Sequence, residues 1–286
     1  TDAFTRTLTF VGSGDLSARL AGSSPTDDAL VGGAEDQHVS TLRFNADENE
    51  DIIIQKLRLT NAGLDEPVGS VMLYDGATLL GTSIFSGGQA EFTNLSITVP
   101  ADGQKLIQVR VDTNEIGAAG ATSGDDFEIS IDGVDDGGTT FEANDGIDIK
   151  AVGASSGEIV SITDAFSGGS PGTPGNFVVY NTLPTLARTG TSPTSGGGTN
   201  VAMLEFDVTV EGPMGESGII EEMTVSFAGT CTTPPVDFRL FRGNTQIGDS
   251  AGDLTLDMSE FTNGVGEEIA AEDTVRLKIH ADTTGC

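Results

Sequence analysis

The chain repeats itself, and that repeat limits its possible folds more than any other feature. Thr1-Asp2-Ala3-Phe4 returns as Thr163-Asp164-Ala165-Phe166, and Val39-Ser40-Thr41-Leu42-Arg43-Phe44 is answered by Val201-Ala202-Met203-Leu204-Glu205-Phe206, both at an offset of 162. Leu73-Tyr74-Asp75-Gly76 then matches Leu240-Phe241-Arg242-Gly243, and Val111-Asp112-Thr113 matches Ala281-Asp282-Thr283, at offsets of 167 and 170. Matches in one order at a near-constant spacing mark two tandem copies of one folding unit. The length of 286 residues agrees with two ordinary domains.

Inside each copy the apolar period is two. It runs through Arg6 to Val11, Val39 to Phe44, Ile52 to Leu59, Val71 to Tyr74, Leu95 to Val99, Leu106 to Val111 and Phe127 to Ile131. The second copy offers Phe177 to Tyr180, Val201 to Val210, Ile219 to Phe227, Phe238 to Phe241 and Val275 to His280. These runs are short, rich in β-branched and aromatic residues, and separated by turn signals such as Asp75-Gly76, Asp102-Gly103 and Asn263-Gly264. No segment keeps a helical apolar stripe. One-sided sheets must bury their apolar faces against each other, so the expected fold class is all-β, with two tandem sandwiches. The expected boundaries are a first domain at 1–162, a Gly/Ser/Pro linker at 163–176 and a second domain at 177–286. Copy one continues for some fifty residues past Asp112, whereas copy two ends just after the equivalent position. The second sandwich is therefore expected to lack its final strands, supplied either by continuing chain or by a neighbouring molecule.

Charge excludes several functions. Forty-four acidic residues against thirteen basic ones leave a net charge of −31. Such a surface repels phosphate backbones and anionic headgroups, so neither nucleic acid nor direct membrane insertion is expected. No run of eighteen apolar residues occurs. With four Lys and abundant Asp, Gly, Thr and Ser, the composition suits an exported or salt-adapted protein, and an extracellular location is expected.

Catalytic patterns are weak. Gly153-Ala154-Ser155-Ser156-Gly157 fits G-x-S-x-G, but that motif needs a strand-to-helix elbow and no helix follows. His38 and His280, the two histidines, lie far from a second ligand in sequence and read as ordinary surface residues. A carbohydrate-active site would stack sugar on aromatic rings, yet there is no Trp and the two Tyr sit in strands. No enzyme is expected. Asp125, Asp126, Asp132, Asp135, Asp136 and Asp145 crowd Gly-containing loops, which suits either Ca²⁺ ligation or a solvated acidic turn region. No other cofactor is indicated. Cys231 and Cys286 either form a disulfide or stay as separate thiols. Asn94-Leu95-Ser96 is a formal glycan acceptor at an expected strand start.

The succession Gly14-Asp15-Leu16-Ser17 to Ser24-Pro25, Val31-Gly32-Gly33 into Val39 to Ala46, Asp51 to Leu59, Leu73 to Gly76 and Leu106 to Thr113 carries a resemblance. It resembles the repeats of large bacterial and archaeal surface proteins, strings of immunoglobulin-like sandwiches that are S-layer-like or filament-forming. The resemblance covers nearly the whole chain. It implies immunoglobulin-like domains and brings no catalytic residues with it. Copy two departs from the pattern at Pro213-Met214-Gly215 and at Cys231 to Pro235. A structural subunit of an extracellular filament, sheath or S-layer follows as the expectation, with copies of itself as partners. The strand-like residues Phe4, Thr5, Arg6, Thr7, Leu8, Thr9, Phe10 and Val11 are the expected donor for an incomplete neighbouring sandwich, by β-strand addition. The alternative is an adhesin or stalk spacer within a larger surface protein.

Overall fold

A computed structural model describes residues 14–131, 149–164, 173–189, 197–226, 233–250, 255–258 and 266–284. The chain divides into two compact units between Tyr180 and Asn181. Every regular element among the described residues is a β-strand.

Unit 1 holds β1 (Asp15–Leu20), β2 (Asp28–Val31), β3 (Gln37–Ala46), β4 (Ile52–Asn61), β5 (Val68–Asp75), β6 (Thr78–Ser83) and β7 (Gln89–Phe92). It continues with β8 (Ile97–Val99), β9 (Gln104–Thr113), β10 (Asp125–Ser130), β11 (Ile149–Gly153), β12 (Ser161–Asp164) and β13 (Asn176–Tyr180). One sheet runs β12-β1-β3-β9-β5-β6, and the facing sheet runs β11-β4-β10-β13-β2, with β7 and β8 also on β4. This is a two-sheet sandwich of the immunoglobulin-like kind, as the period-two pattern requires. Alternation buries Leu16, Ala18 and Leu20 from β1, Leu42 and Phe44 from β3, and Ile107, Val109 and Val111 from β9. The facing sheet contributes Ile52, Ile54, Leu57 and Leu59 from β4, Phe127 and Ile129 from β10, and Phe177 and Val179 from β13.

Unit 2 holds β14 (Leu183–Arg188), β15 (Val201–Glu211), β16 (Ser217–Ile220), β17 (Glu222–Thr224), β18 (Val236–Arg242), β19 (Thr245–Asp249), β20 (Thr255–Asp257), β21 (Glu267–Ala270) and β22 (Thr274–Asp282). The order is β14-β15-β22-β18-β19-β20-β17, with β16 paired separately to β21. Its core is built on Phe206, Val208 and Val210 against Leu240, Leu256, Leu277 and Ile279.

The repeated residues turn out to be structural joints. The Leu73-Tyr74 and Leu240-Phe241 steps carry the same β-bulge in the β5–β6 and β18–β19 hairpins. The glycines that follow, Gly76 and Gly243, both turn at positive φ, 60° and 62°. Thr113 and Thr283 repeat one clamp. The Thr113 hydroxyl donates to the Val31 carbonyl at 2.7 Å and accepts from Ala34 N–H at 2.9 Å. The Thr283 hydroxyl accepts from Gly198 N–H at 3.2 Å and donates to the Gly198 carbonyl at 3.3 Å. Each ties the end of a central strand to the loop before β3 or β15.

The domain boundary departs from the expectation. β12 lies along β1 in parallel, from Asp15 against Ser161 to Ala18 against Asp164. β13 lies between β10 and β2, with Phe177 opposite Phe127 on one side and Asp28 on the other. The Gly/Ser/Pro stretch expected as a linker at 163–176 therefore joins two strands of one sandwich, and Phe177 to Tyr180 closes unit 1 rather than opening unit 2. The physical reason is that an alternating apolar strand satisfies either sheet equally well until its neighbours are known. Fold and sequence repeat are out of phase by the two strands β12 and β13.

Candidate functional site

The place where one repeat meets the next is the feature that most distinguishes this chain. Within unit 1, the segment that begins repeat two supplies both closing strands. Phe177 and Val179 of β13 are 2% and 0% exposed. The Phe177 ring stacks on Phe127 at 5.6 Å between centroids, with 20° between ring planes. The slot is anchored at its ends: Gly32 N–H donates to the Tyr180 carbonyl and Gly124 N–H to the Val179 carbonyl, each at 2.8 Å. Asn176 N–H donates to the Asp27 carboxylate at 2.9 Å.

Among the described residues, unit 2 presents the same places without such cover. Leu186 of β14 pairs with Val208 as Leu16 of β1 pairs with Ala46, and Val208 is 162 residues beyond Ala46, so β14 is the counterpart of β1. Leu16 is fully buried whereas Leu186 is 64% exposed. The outer edge of β14 has no strand partner among the described residues. Pairing likewise equates Ile220 with Ile54 and Met223 with Leu57. Ile54, Leu57 and Leu42 are 0% exposed in unit 1. Their counterparts Ile220, Met223 and Leu204 are only partly buried against the core of unit 2.

The other candidate residues are scattered. Asp125 accepts a hydrogen bond from Thr122 N–H at 2.7 Å, holding the turn before β10. Asp126 follows it on the strand and so projects to the opposite face. No cluster of three His, Cys, Asp or Glu residues suited to a metal occurs among the described residues. Asp132, Asp135, Asp136 and Asp145, the strand Phe4 to Val11, and both Cys231 and Cys286 lie outside the described residues.

The G-x-S-x-G stretch has a structural use. The Ser155 and Ser156 N–H groups each donate to the Glu50 carboxylate at 2.9 Å, and the Ser156 hydroxyl donates at 2.6 Å. A side chain at Gly153 would overlap that carboxylate. The Ser156 hydroxyl and N–H, with the Ser155 N–H, hold the Glu50 carboxyl below the usual glutamate range. His38, expected as a surface residue, is half-buried. Its Nε2 lies 3.0 Å from the Ser40 carbonyl and 2.9 Å from Thr41 Oγ1. Burial lowers its pKa, helped by the nearby Arg110 charge and opposed by the Ser40 contact. His280 packs on Phe241 at 4.6 Å. Asn94 lies exposed at φ 59° in a bend, because β8 starts at Ile97 rather than Leu95.

Sequence reasoning missed the buried Arg58. Its guanidinium is 1% exposed and bonds Glu91 at 3.0 Å. It also missed Asn61, whose side chain donates to the Leu64 carbonyl and accepts from Gly63 and Glu128 N–H groups, joining β4 to β10.

No protein-family profile matches the chain, and no curated protein matches it. Among solved structures, the fibronectin(III)-like modules of Clostridium thermocellum CbhA align with 94% of this chain and 87% of theirs at 10% identity. The TM-score is 0.16, at which the two chains share no overall superposition. No helix among the described residues is long and apolar enough to cross a membrane.

Proposed function

We propose that this chain is a non-catalytic structural segment of an extracellular filament, sheath or S-layer, built head-to-tail from immunoglobulin-like sandwiches. The observation that carries the reading is the phase shift. The opening strands of the second repeat are the closing strands of the first sandwich, so the two sequence repeats interlock within unit 1 by β-strand pairing and buried side chains. A head-to-tail contact of this kind does not close on itself and propagates into a fibre. The G-x-S-x-G stretch supports the same reading in that it holds the Glu50 carboxylate in place.

The test is sedimentation and electron microscopy of the full chain beside a chain lacking residues 1–11. The full chain should form linear polymers and the shortened chain should stay monomeric. Normal polymers from the shortened chain would refute assembly through this segment. Dispersed single rods from both, with a binding activity, would favour a stalk spacer.

A further inference from the structure

We infer that β6 of unit 1 is a docking edge for the same strand of a second copy, the two running antiparallel about a two-fold axis. This contact joins chains side by side and does not depend on head-to-tail assembly.

One sheet of unit 1 ends on β6, Thr78-Leu79-Leu80-Gly81-Thr82-Ser83, whose outer side has no strand partner among the described residues. Such an edge offers unused N–H and C=O groups, and proteins ordinarily guard it with charge, proline or a covering segment. The other strands that end the three large sheets follow that rule. β2, β11, β12, β14 and β17 contain Asp28, Lys150, Asp164, Arg188 and Glu222. β6 does not. From Gly76 to Ala90 no residue carries a charge and none is proline. Asp75, just before this stretch, is neutralised by an ion pair with Lys105. Leu79 is 49% exposed, and Ile84, just past the strand, is 65% exposed.

The second repeat has the same edge, guarded. The β18–β19 hairpin carries the bulge of the β5–β6 hairpin, and Gly248-Asp249-Ser250 answers Gly81-Thr82-Ser83. There Gln246 stands at the place of Leu79 and Asp249 at the place of Thr82, and β20 pairs with β19 at Asp249. One repeat keeps bare and apolar what the other has made polar and covered.

Charge selects a second copy as the occupant. Molecules of net charge −31 repel one another, so they approach at least cost through surface that carries no charge. A two-fold contact is also self-complementary, so identical strands satisfy each other. Full overlap of the six residues sets Leu79 opposite Thr82 of the second copy. Leu79 and Thr82 pair with Tyr74 and Met72 of β5 and so share a face, which makes this register one of like faces. An edge of six residues falls short of the roughly 1,000 Å² that a stable interface buries, so pairing needs concentrated protein.

Hydrogen exchange of the full chain, compared between dilute and concentrated protein, reads the contact directly. Concentration should slow the β6 amides not bonded to β5 by at least about tenfold, with dimers in sedimentation equilibrium. Two double variants at these exposed positions should melt as the parent does. Leu79→Lys with Thr82→Lys sets like charges opposite each other and should abolish the protection, although it lowers the net negative charge. Leu79→Lys with Thr82→Asp sets opposite charges together and should restore it. If β6 exchange in the parent is unchanged by concentration, or is already slow in dilute protein, this edge takes no second copy. Full protection in the first double variant, or none in the second, would overturn the antiparallel pairing of Leu79 with Thr82. Linear polymers that persist in the first double variant while β6 protection is lost would leave head-to-tail assembly and this pairing both standing.

Discussion

Replacing Phe177 with Ala tests which sandwich owns the strand at 176–180. Phe177 is 2% exposed and stacked on Phe127 in unit 1. Truncating a buried Phe to Ala costs about 3–5 kcal/mol through lost apolar burial and the cavity left behind. That is a large fraction of a domain's total stability, roughly 5–15 kcal/mol. For a unit of this size each kcal/mol moves Tm by about 2–4 °C, so a fall of roughly 6–20 °C is expected. Differential scanning calorimetry of the whole chain should resolve two transitions. Leu277→Ala, at a fully buried position in the core of unit 2, labels the transition of that unit. Phe177→Ala should move the other one. If it moves the transition that Leu277→Ala moves, Phe177 belongs to the second sandwich. The phase shift would then fall.

The repeated clamp predicts paired effects: Thr113→Val and Thr283→Val should each cost about 0.5–1.5 kcal/mol, in unit 1 and unit 2 respectively, because part-buried backbone groups lose their hydroxyl partner. Chemical denaturation followed by hydrogen exchange would assign each loss, and a loss under a few tenths of a kcal/mol would refute the clamp. The Glu50 carboxyl should titrate below the usual glutamate range in an NMR pH series, and Ser156→Ala should bring it back up. With its folded pKa lowered, Glu50 stabilises unit 1 above the ordinary glutamate range, and that contribution is lost as pH falls through the lowered value. His38 follows the same sign by a different cause. Burial favours its neutral form, so its contribution is present above about pH 6.5 and is lost as pH falls through the lowered folded value. The pH dependence of unit 1 melting should flatten in His38→Gln.

Much of the architecture was legible in the residues. Alternation in Ile107 to Val111 and Leu204 to Val210 placed β9 and β15, because one buried face demands it. The repeat marked hairpins and clamps whose purpose only pairing reveals, since Asp112-Thr113 carries no periodic signal of its own. β14 escaped because Leu183-Pro184-Thr185-Leu186 neither alternates nor avoids proline, as an exposed edge permits. Phe177 to Tyr180 was visible as a strand but not as part of unit 1. Sequence similarity shows where a repeat begins, and says nothing about which sheet its first strand enters. Arg58 drew no reading from the sequence, because a charged residue on a strand normally faces solvent. Glu91 on the adjacent β7 provides the partner that makes its burial tolerable. The carboxylates of the acidic loops gave no such geometric handle, as composition fixes neither ligand distances nor which oxygens converge.

Only Asn181 and Thr182 separate β13 from β14. A pull applied to unit 2 thus reaches unit 1 through a strand hydrogen-bonded on both edges, with almost no slack chain to take up extension first. Stretching the chain would not begin with the straightening of a tether. It would begin with the extraction of β13 from between β10 and β2, where several backbone pairings and the Phe177 stack must give way together. Extracting β13 breaks unit 1 itself, so extension would proceed in steps of whole unfolded sandwiches.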